Sequence, residues 1–410
     1  MQSTLYLDTA RMGQMSRLAC DASIDFARFA AEHGCTLYCS AFLKCGFTHW
    51  PTAFQKRYSG LKHWNGVCQF RDELRHLAGA DRESEVLLSS RSAVLVKFAA
   101  RLLSGPCRNV LITDTIWPAY KNILQREFGN GDCRFTQIPV RRKLLRESIS
   151  VDELIELFVF EYRHRKCDGL FLPLVDNLGV RLPIERIVDR IKGCAELRFV
   201  VVDGAQSIGH VPLRLDRNYC DLLIAGTHKW LRAYHTMGLG FYGNPGSRHY
   251  ITKSLQGWTA AGLIDDPLLT FVEELTTGRD SHFGETVQVA PLIAANAATR
   301  DALSRGCRKS TDKQIDTASI INLVGEVGWR ALSPEAEMSS RIILFELKNS
   351  CRVPESGSIR RSLLAQGVAA TVYPTGLLRI SLPESSLTAN CLRQLRAALS
   401  SIGSESGYYK

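Results

Sequence analysis

Two side chains in this sequence have the type and spacing to do chemistry on a carbonyl group. Asp203 closes the apolar run Phe199–Val202. Lys229 follows 26 residues later, in Gly226-Thr227-His228-Lys229-Trp230, just after a second apolar run, Asp221–Ala225. Short β-prone runs of this kind, bounded by turn residues, read as fully buried strands. In an open parallel sheet, ligands bind outside the carboxyl ends of the strands. A carboxylate and an amine are therefore expected at one ligand-binding edge. An amine that is held unprotonated is a nucleophile, and burial or cationic neighbours lower a lysine pKa enough to hold it so.

Asp203-Gly204-Ala205-Gln206, Thr227-His228-Lys229-Trp230 and the glycine-bearing strand Met237–Tyr242 occur in that order. The stretch they span, Arg198–Tyr242, resembles the class V aminotransferase group of fold-type I pyridoxal phosphate (PLP) enzymes. That group includes cysteine desulfurases, kynureninase and isopenicillin-epimerase-like proteins. The resemblance implies that Lys229 forms the Schiff base with PLP and that Asp203 pairs with the pyridinium nitrogen. It implies that Gln206 bonds the ring hydroxyl and that Thr227 or His228 helps to hold the phosphate. A carboxylate against the ring nitrogen keeps it protonated, so the ring accepts carbanion electrons. Lys229 is then also the base for the substrate α-proton.

The same resemblance extends to weaker segments. Leu5–Ala10 is similar to the family's opening segment, which enters the active site, and Arg11 after it is a candidate contact for an anionic substrate group. A short strand at Glu85–Leu88 leads through Ser89-Ser90-Arg91-Ser92 into an apolar helix. That is the shape of a phosphate cradle, because the first amides of a helix point at the anion. Ser90, Arg91 and Ser92 are the expected contacts. Trp117 follows the strand Asn109–Thr113 and is the candidate to stack on the ring. Asn177 is expected to reach the cofactor hydroxyl, with Asp176 as its competitor. Thr286, after Phe283-Gly284-Glu285, corresponds to a threonine that reaches the phosphate from the partner subunit, which implies a homodimer with the site at its interface. Arg379, in the strand-like run Leu377–Leu382, is expected to clamp the substrate α-carboxylate, since a guanidinium matches a carboxylate in bidentate fashion. The loop Tyr373–Gly376 before it is placed to sense the substrate side chain.

The elements that must position these groups follow from patterning. Strands and helices alternate from 85 to 245, the signature of a mainly parallel sheet covered by helices. The fold expected is α/β: a large domain with a mainly parallel seven-stranded sheet, and a smaller α+β C-terminal domain. The division is residues 1–35 as an N-terminal segment, 36–304 as the PLP-binding domain and 305–410 as the small domain. Ser16–Glu32 reads as an amphipathic helix. Residues 33–70 fit the resemblance least and are rich in aromatic residues; His49-Trp50-Pro51 is a candidate pocket lining there, against ordinary packing.

Composition sets the limits. The chain has 410 residues and a formal net charge of +10. Its basic runs, Arg141-Arg142-Lys143 and Arg163–Lys166, adjoin no nucleic-acid motif and read as solvated faces. No apolar run reaches membrane-span length, and Met1–Gly13 lacks a secretory pattern, so a cytoplasmic enzyme is expected. The 13 cysteines are odd in number, scattered and without a CxxC pair. They read as reduced thiols, not as a disulfide framework or a metal site.

The reaction is less determined than the cofactor. An aminotransferase acting on an α-amino acid is the first expectation. A PLP-dependent lyase, epimerase or decarboxylase is the alternative, and a non-catalytic scaffold the lesser one. A persulfide-forming cysteine desulfurase is not expected, because no cysteine lies between Arg352 and Arg379.

Overall fold

The computed structural model describes residues 4–34, 40–129, 131–277, 287–307, 317–348, 355–384 and 387–405. The first eight strands are β1 (Leu5–Tyr6), β2 (Glu85–Ser89), β3 (Asn109–Thr113), β4 (Arg134–Ile138), β5 (Gly169–Pro173), β6 (Phe199–Asp203), β7 (Leu222–Gly226) and β8 (Gly238–Tyr242). All but β1 form a seven-stranded sheet in the order β2-β8-β7-β6-β5-β3-β4. The sheet is parallel except for β8, which runs antiparallel to both β2 and β7.

Strands β3, β5, β6, β7 and β8 are buried at every position. This is why they appear in the sequence as unbroken apolar runs: both faces of the sheet are covered. In β6, Val200 and Val202 enter one core and Phe199 and Val201 the other. Local signals start the covering helices. Ser16 caps helix Arg17–His33, its Oγ accepting from Ala19 N at 3.2 Å. Ser150 and Glu153 close a reciprocal capping box at helix Val151–His164. Each such cap stabilises its helix by roughly 1 kcal/mol.

The C-terminal layer holds β9 (Trp329–Leu332), β10 (Ile342–Leu347), β11 (Val368–Ala369), β12 (Thr371–Val372) and β13 (Leu378–Ser381). Four of these make an antiparallel sheet in the order β12-β13-β10-β9. Alternate residues of β10 serve different cores: Ile343 and Phe345 pack with helix Ala389–Glu405, while Leu344 joins the large core. The N-terminal segment divides likewise. Strand β1 pairs in parallel with β11, whereas Ala19, Phe26 and Phe29 of the first helix join the large core.

Residues 40–70 form an aromatic knot. Trp50 stacks on Phe47 at 5.8 Å and meets Phe29 edge-on at 5.0 Å. Trp50 is therefore a packing residue, and His49 beside it is exposed.

Candidate active site

Asp203 is the last residue of β6, and Lys229 lies three residues beyond the end of β7, its parallel neighbour. Both therefore stand at one sheet edge. The Asp203 carboxylate is buried, accepts a hydrogen bond from Ala205 N at 2.9 Å, and has its pKa pushed up to about 6. Burial is the main cause; the Ala205 amide and the Lys229 charge oppose it. Burial brings Lys229 down to about 8, with Asp203 opposing the shift and Arg379 adding to it. A lysine with a nucleophilic fraction near neutrality thus stands within electrostatic reach of a carboxylate whose burial raises its pKa.

The N-terminal segment lies across the lysine loop. Gly13 N donates to His228 O at 2.8 Å, and Ser16 N to Arg232 O at 2.9 Å. Gly13 has to be glycine: a Cβ there would stand 2.0 Å from Lys229 O. The loop after the lysine also carries two left-handed non-glycine residues, Arg232 (φ 66°) and Tyr234 (φ 65°), a conformation that other packing must hold in place. Thr227 supplies part of that hold, its hydroxyl donating to His235 O at 2.8 Å. That hydroxyl is engaged inside the loop, so of the Thr227–His228 pair it is His228 that has a free polar atom. Its Nδ1 is buried without a partner, and burial lowers its pKa to about 4, leaving the ring neutral at pH 7.

Gln206 is placed differently from the simple expectation. Its Nε2 donates to Ala10 O at 2.8 Å and its Oε1 accepts from Trp230 Nε1 at 2.7 Å. Both ends of the amide tie the opening segment to the residue after Lys229.

Arg379, on β13, is buried. Its guanidinium donates to Asn177 O, Tyr373 Oη and Thr371 Oγ1, each at 3.2 Å, and pairs with Asp8 at 3.4 Å. Its Nε and the neighbouring Asn177 Oδ1 are buried without partners. Asp176 does a separate task. Its Oδ1 accepts from Leu178 N and Val180 N, each at 2.9 Å, and so shapes the turn that presents Asn177.

At the other end of the site, Ser92 opens helix Ser92–Ser104, and its Oγ lies 3.1 Å from Tyr120 Oη. Gly238 lets the sheet touch this helix start, since a Cβ there would lie 2.7 Å from Ser92 N. Ser90 does not join the cradle. The Asp266 carboxylate accepts from its amide at 2.9 Å and its hydroxyl at 2.8 Å, and from Ser89 Oγ at 2.6 Å. Arg91 and Arg11 are exposed. Trp117 is 47% exposed, just ahead of Pro118 at the first position of helix Pro118–Phe128. Its ring is thus outside the core and free to meet a ligand face. Thr286 lies outside the described residues.

Gly13, Asp8, Tyr120 and Asp266 were not anticipated. Asp8 had a local signal, a carboxylate within the recognised opening segment. The other three had none, because their partners are remote in sequence. Among the described residues no cluster of metal-ligating side chains and no membrane-crossing helix is present.

The donor set fits PLP. Asp203 offers a buried carboxylate for a ring cation, Lys229 an amine for the aldehyde, and the start of helix Ser92–Ser104 its amides for a phosphate. A helix-covered, mainly parallel sheet with lysine and carboxylate at its edge, and an arginine from a C-terminal α+β layer, defines the fold-type I class of PLP-dependent enzymes. Residues 149–300 match the family Aminotransferase class-V. The chain is similar to the uncharacterized aminotransferase YcbU of Bacillus subtilis (28% identical over 166 residues, 39% of this chain). It is also similar to the hercynylcysteine sulfoxide lyase of Schizosaccharomyces pombe (26% over 175 residues, 40% of this chain). These matches span 40% of each relative's length. Across nearly its whole length the chain shares the fold of C-DES, in a solved mutant with glycine covalently linked to the PLP cofactor (TM-score 0.64, 16% identity, 97% of each chain covered).

Proposed function

We propose that this protein is a PLP-dependent enzyme acting on the α-amino group of an amino acid, and that its reaction is transamination. The observation that carries the PLP part of this reading is the Lys229–Asp203 pair at the sheet edge, a half-buried amine lowered to about 8 and a buried carboxylate raised to about 6; the matches to aminotransferases favour transamination. Bound PLP supplies the aldehyde and the electron sink. Lys229 Nζ provides the amine and then moves the proton at the substrate α-carbon. Asp203 holds a proton on the ring nitrogen. Arg379 and Asn177 orient the α-carboxylate, for which Arg379 Nε is the free donor. Trp117 covers the ring, Ser92 and His228 serve the phosphate, and the protein works as a cytosolic homodimer.

A lyase is the second reading, favoured by the match to a sulfoxide lyase. A persulfide route is disfavoured because no cysteine stands between Arg352 and Arg379. The test is turnover of a panel of amino acids and cysteine conjugates by the cofactor-loaded protein. Transamination requires a 2-oxo acid acceptor and returns the amino group to it. Ammonia or a sulfur product released without an acceptor would overturn transamination and establish the lyase. Lys229→Ala should abolish cofactor attachment fixed by borohydride, read as the loss of one added cofactor mass; retained attachment would place the amine elsewhere.

A further inference from the structure

We infer that Tyr120 is a cofactor-positioning residue: its phenol sets the Ser92 hydroxyl so that Ser92 donates to the phosphate of PLP. This inference rests on the assignment of Ser92 to the phosphate given above. Tyr120 sits on helix Pro118–Phe128, is 8% exposed, and places Oη 3.1 Å from Ser92 Oγ. Burial, with the Asp203 charge adding to it, pushes its pKa far above the usual phenol range. The tyrosine therefore stays protonated at every working pH and remains a donor.

Either hydroxyl can donate in this contact, and an anion at the helix start would select the direction. Two hydroxyls that face each other share one hydrogen bond and leave one proton over. When Tyr120 donates to Ser92 Oγ, the Ser92 proton is free for an anion. Ser92 stands at the start of a helix, where the first amides have no intrahelical acceptor. An anion there meets amides and the serine proton together. Ser92 matters more than the sequence suggested, because Asp266 already holds the other candidate hydroxyl, that of Ser90.

The experiment compares PLP with pyridoxal, which lacks the phosphate, as ligands of the cofactor-free wild type, Tyr120→Phe and Ser92→Ala. Tyr120→Phe should weaken PLP about five- to tenfold and pyridoxal less than about twofold, as expected for one misdirected hydrogen bond to a charged group. Ser92→Ala should do the same, and the double variant should lose little more than either alone. Equal weakening of both ligands by Tyr120→Phe would reduce Tyr120 to a packing residue and overturn the inference; so would an unchanged preference for PLP. A wild type that binds PLP no better than pyridoxal would instead remove Ser92 from the phosphate, and the inference with it. Failure to bind either ligand would overturn the PLP reading itself. Ser92→Ala removes a partly buried serine hydroxyl, so it keeps the test decisive should Tyr120→Phe not fold: an unchanged PLP preference there also overturns the inference.

Discussion

The two charged centres of the site are built in opposite ways. At the ends of β6 and β7, Asp203 is buried and Lys229 half-buried, and both have pKa values displaced toward the neutral form. On β13, Arg379 is buried with four partners, one of them the Asp8 carboxylate. The first centre keeps its carboxylate and amine free at a cost in stability, as a ligand-binding centre would. The second is assembled by the chain, with one nitrogen left over. On the proposed function, the sheet edge offers its groups to a cofactor, while the arginine is already fixed by its own partners.

The comparison is most easily broken at Gly13. Gly13→Ala forces a Cβ to within 2.0 Å of Lys229 O. The opening segment and the lysine loop must then part, at a cost of about 3 kcal/mol. A thermal melt should show a clear drop, and cofactor capture should fall with it; a variant with an unchanged melt would mean that the segment does not lie on the lysine loop.

Asp203→Asn sharpens the contrast because stability and affinity should move in opposite directions. The folded carboxylate titrates near 6, against an ordinary value of 3.8. Between those values the folded protein holds more protons than the unfolded chain, so this group's contribution falls as pH rises from 4 to 6 and stays unfavourable above. Removing the charge should raise the stability of the cofactor-free protein at pH 7 by up to about 3 kcal/mol, with the gain fading below pH 4. Cofactor affinity should drop in the same variant. Denaturation at pH 7 and pH 4 checks the sign, and a loss of stability at pH 7 would mean that Asp203 is already satisfied.

Asp8→Asn should have the smallest effect. It keeps an acceptor for Thr371, whose hydroxyl bonds Asp8 at 2.5 Å, but removes the counter-charge of Arg379. Folding should weaken by about 1 kcal/mol, and the Michaelis constant for amino-acid substrates should fall about two- to threefold as the guanidinium becomes freer to meet a carboxylate. An unchanged constant would show that Asp8 and the substrate do not share the arginine.

Parts of this site were legible because they are encoded locally. Strand β3 was read with its observed limits and β6 to within one residue, since a strand covered on both faces must be apolar throughout. Asp203 and Lys229 were legible for the same reason: each stands at or within three residues of the end of such a run. Ser90 was misplaced because a serine before a helix looks the same whether its donors face a ligand or a carboxylate. The deciding partner, Asp266, is 176 residues away. Gln206 stands three residues beyond the end of β6, and its amide, expected to bond the ring hydroxyl, is committed to Ala10, 196 residues away, and to Trp230.

The sequence by itself determined the sheet, its ligand-binding edge and the amine and carboxylate that stand on it, because burial of both faces writes strand limits into consecutive residues. Only the tertiary structure decided which polar groups are satisfied. Asp8 and Arg379 meet across 371 residues, Ser92 and Tyr120 across 28, and Asp266 takes the donors of Ser90. A hydrogen bond depends on positions in space to within tenths of an ångström, and no local pattern fixes positions that finely between distant segments.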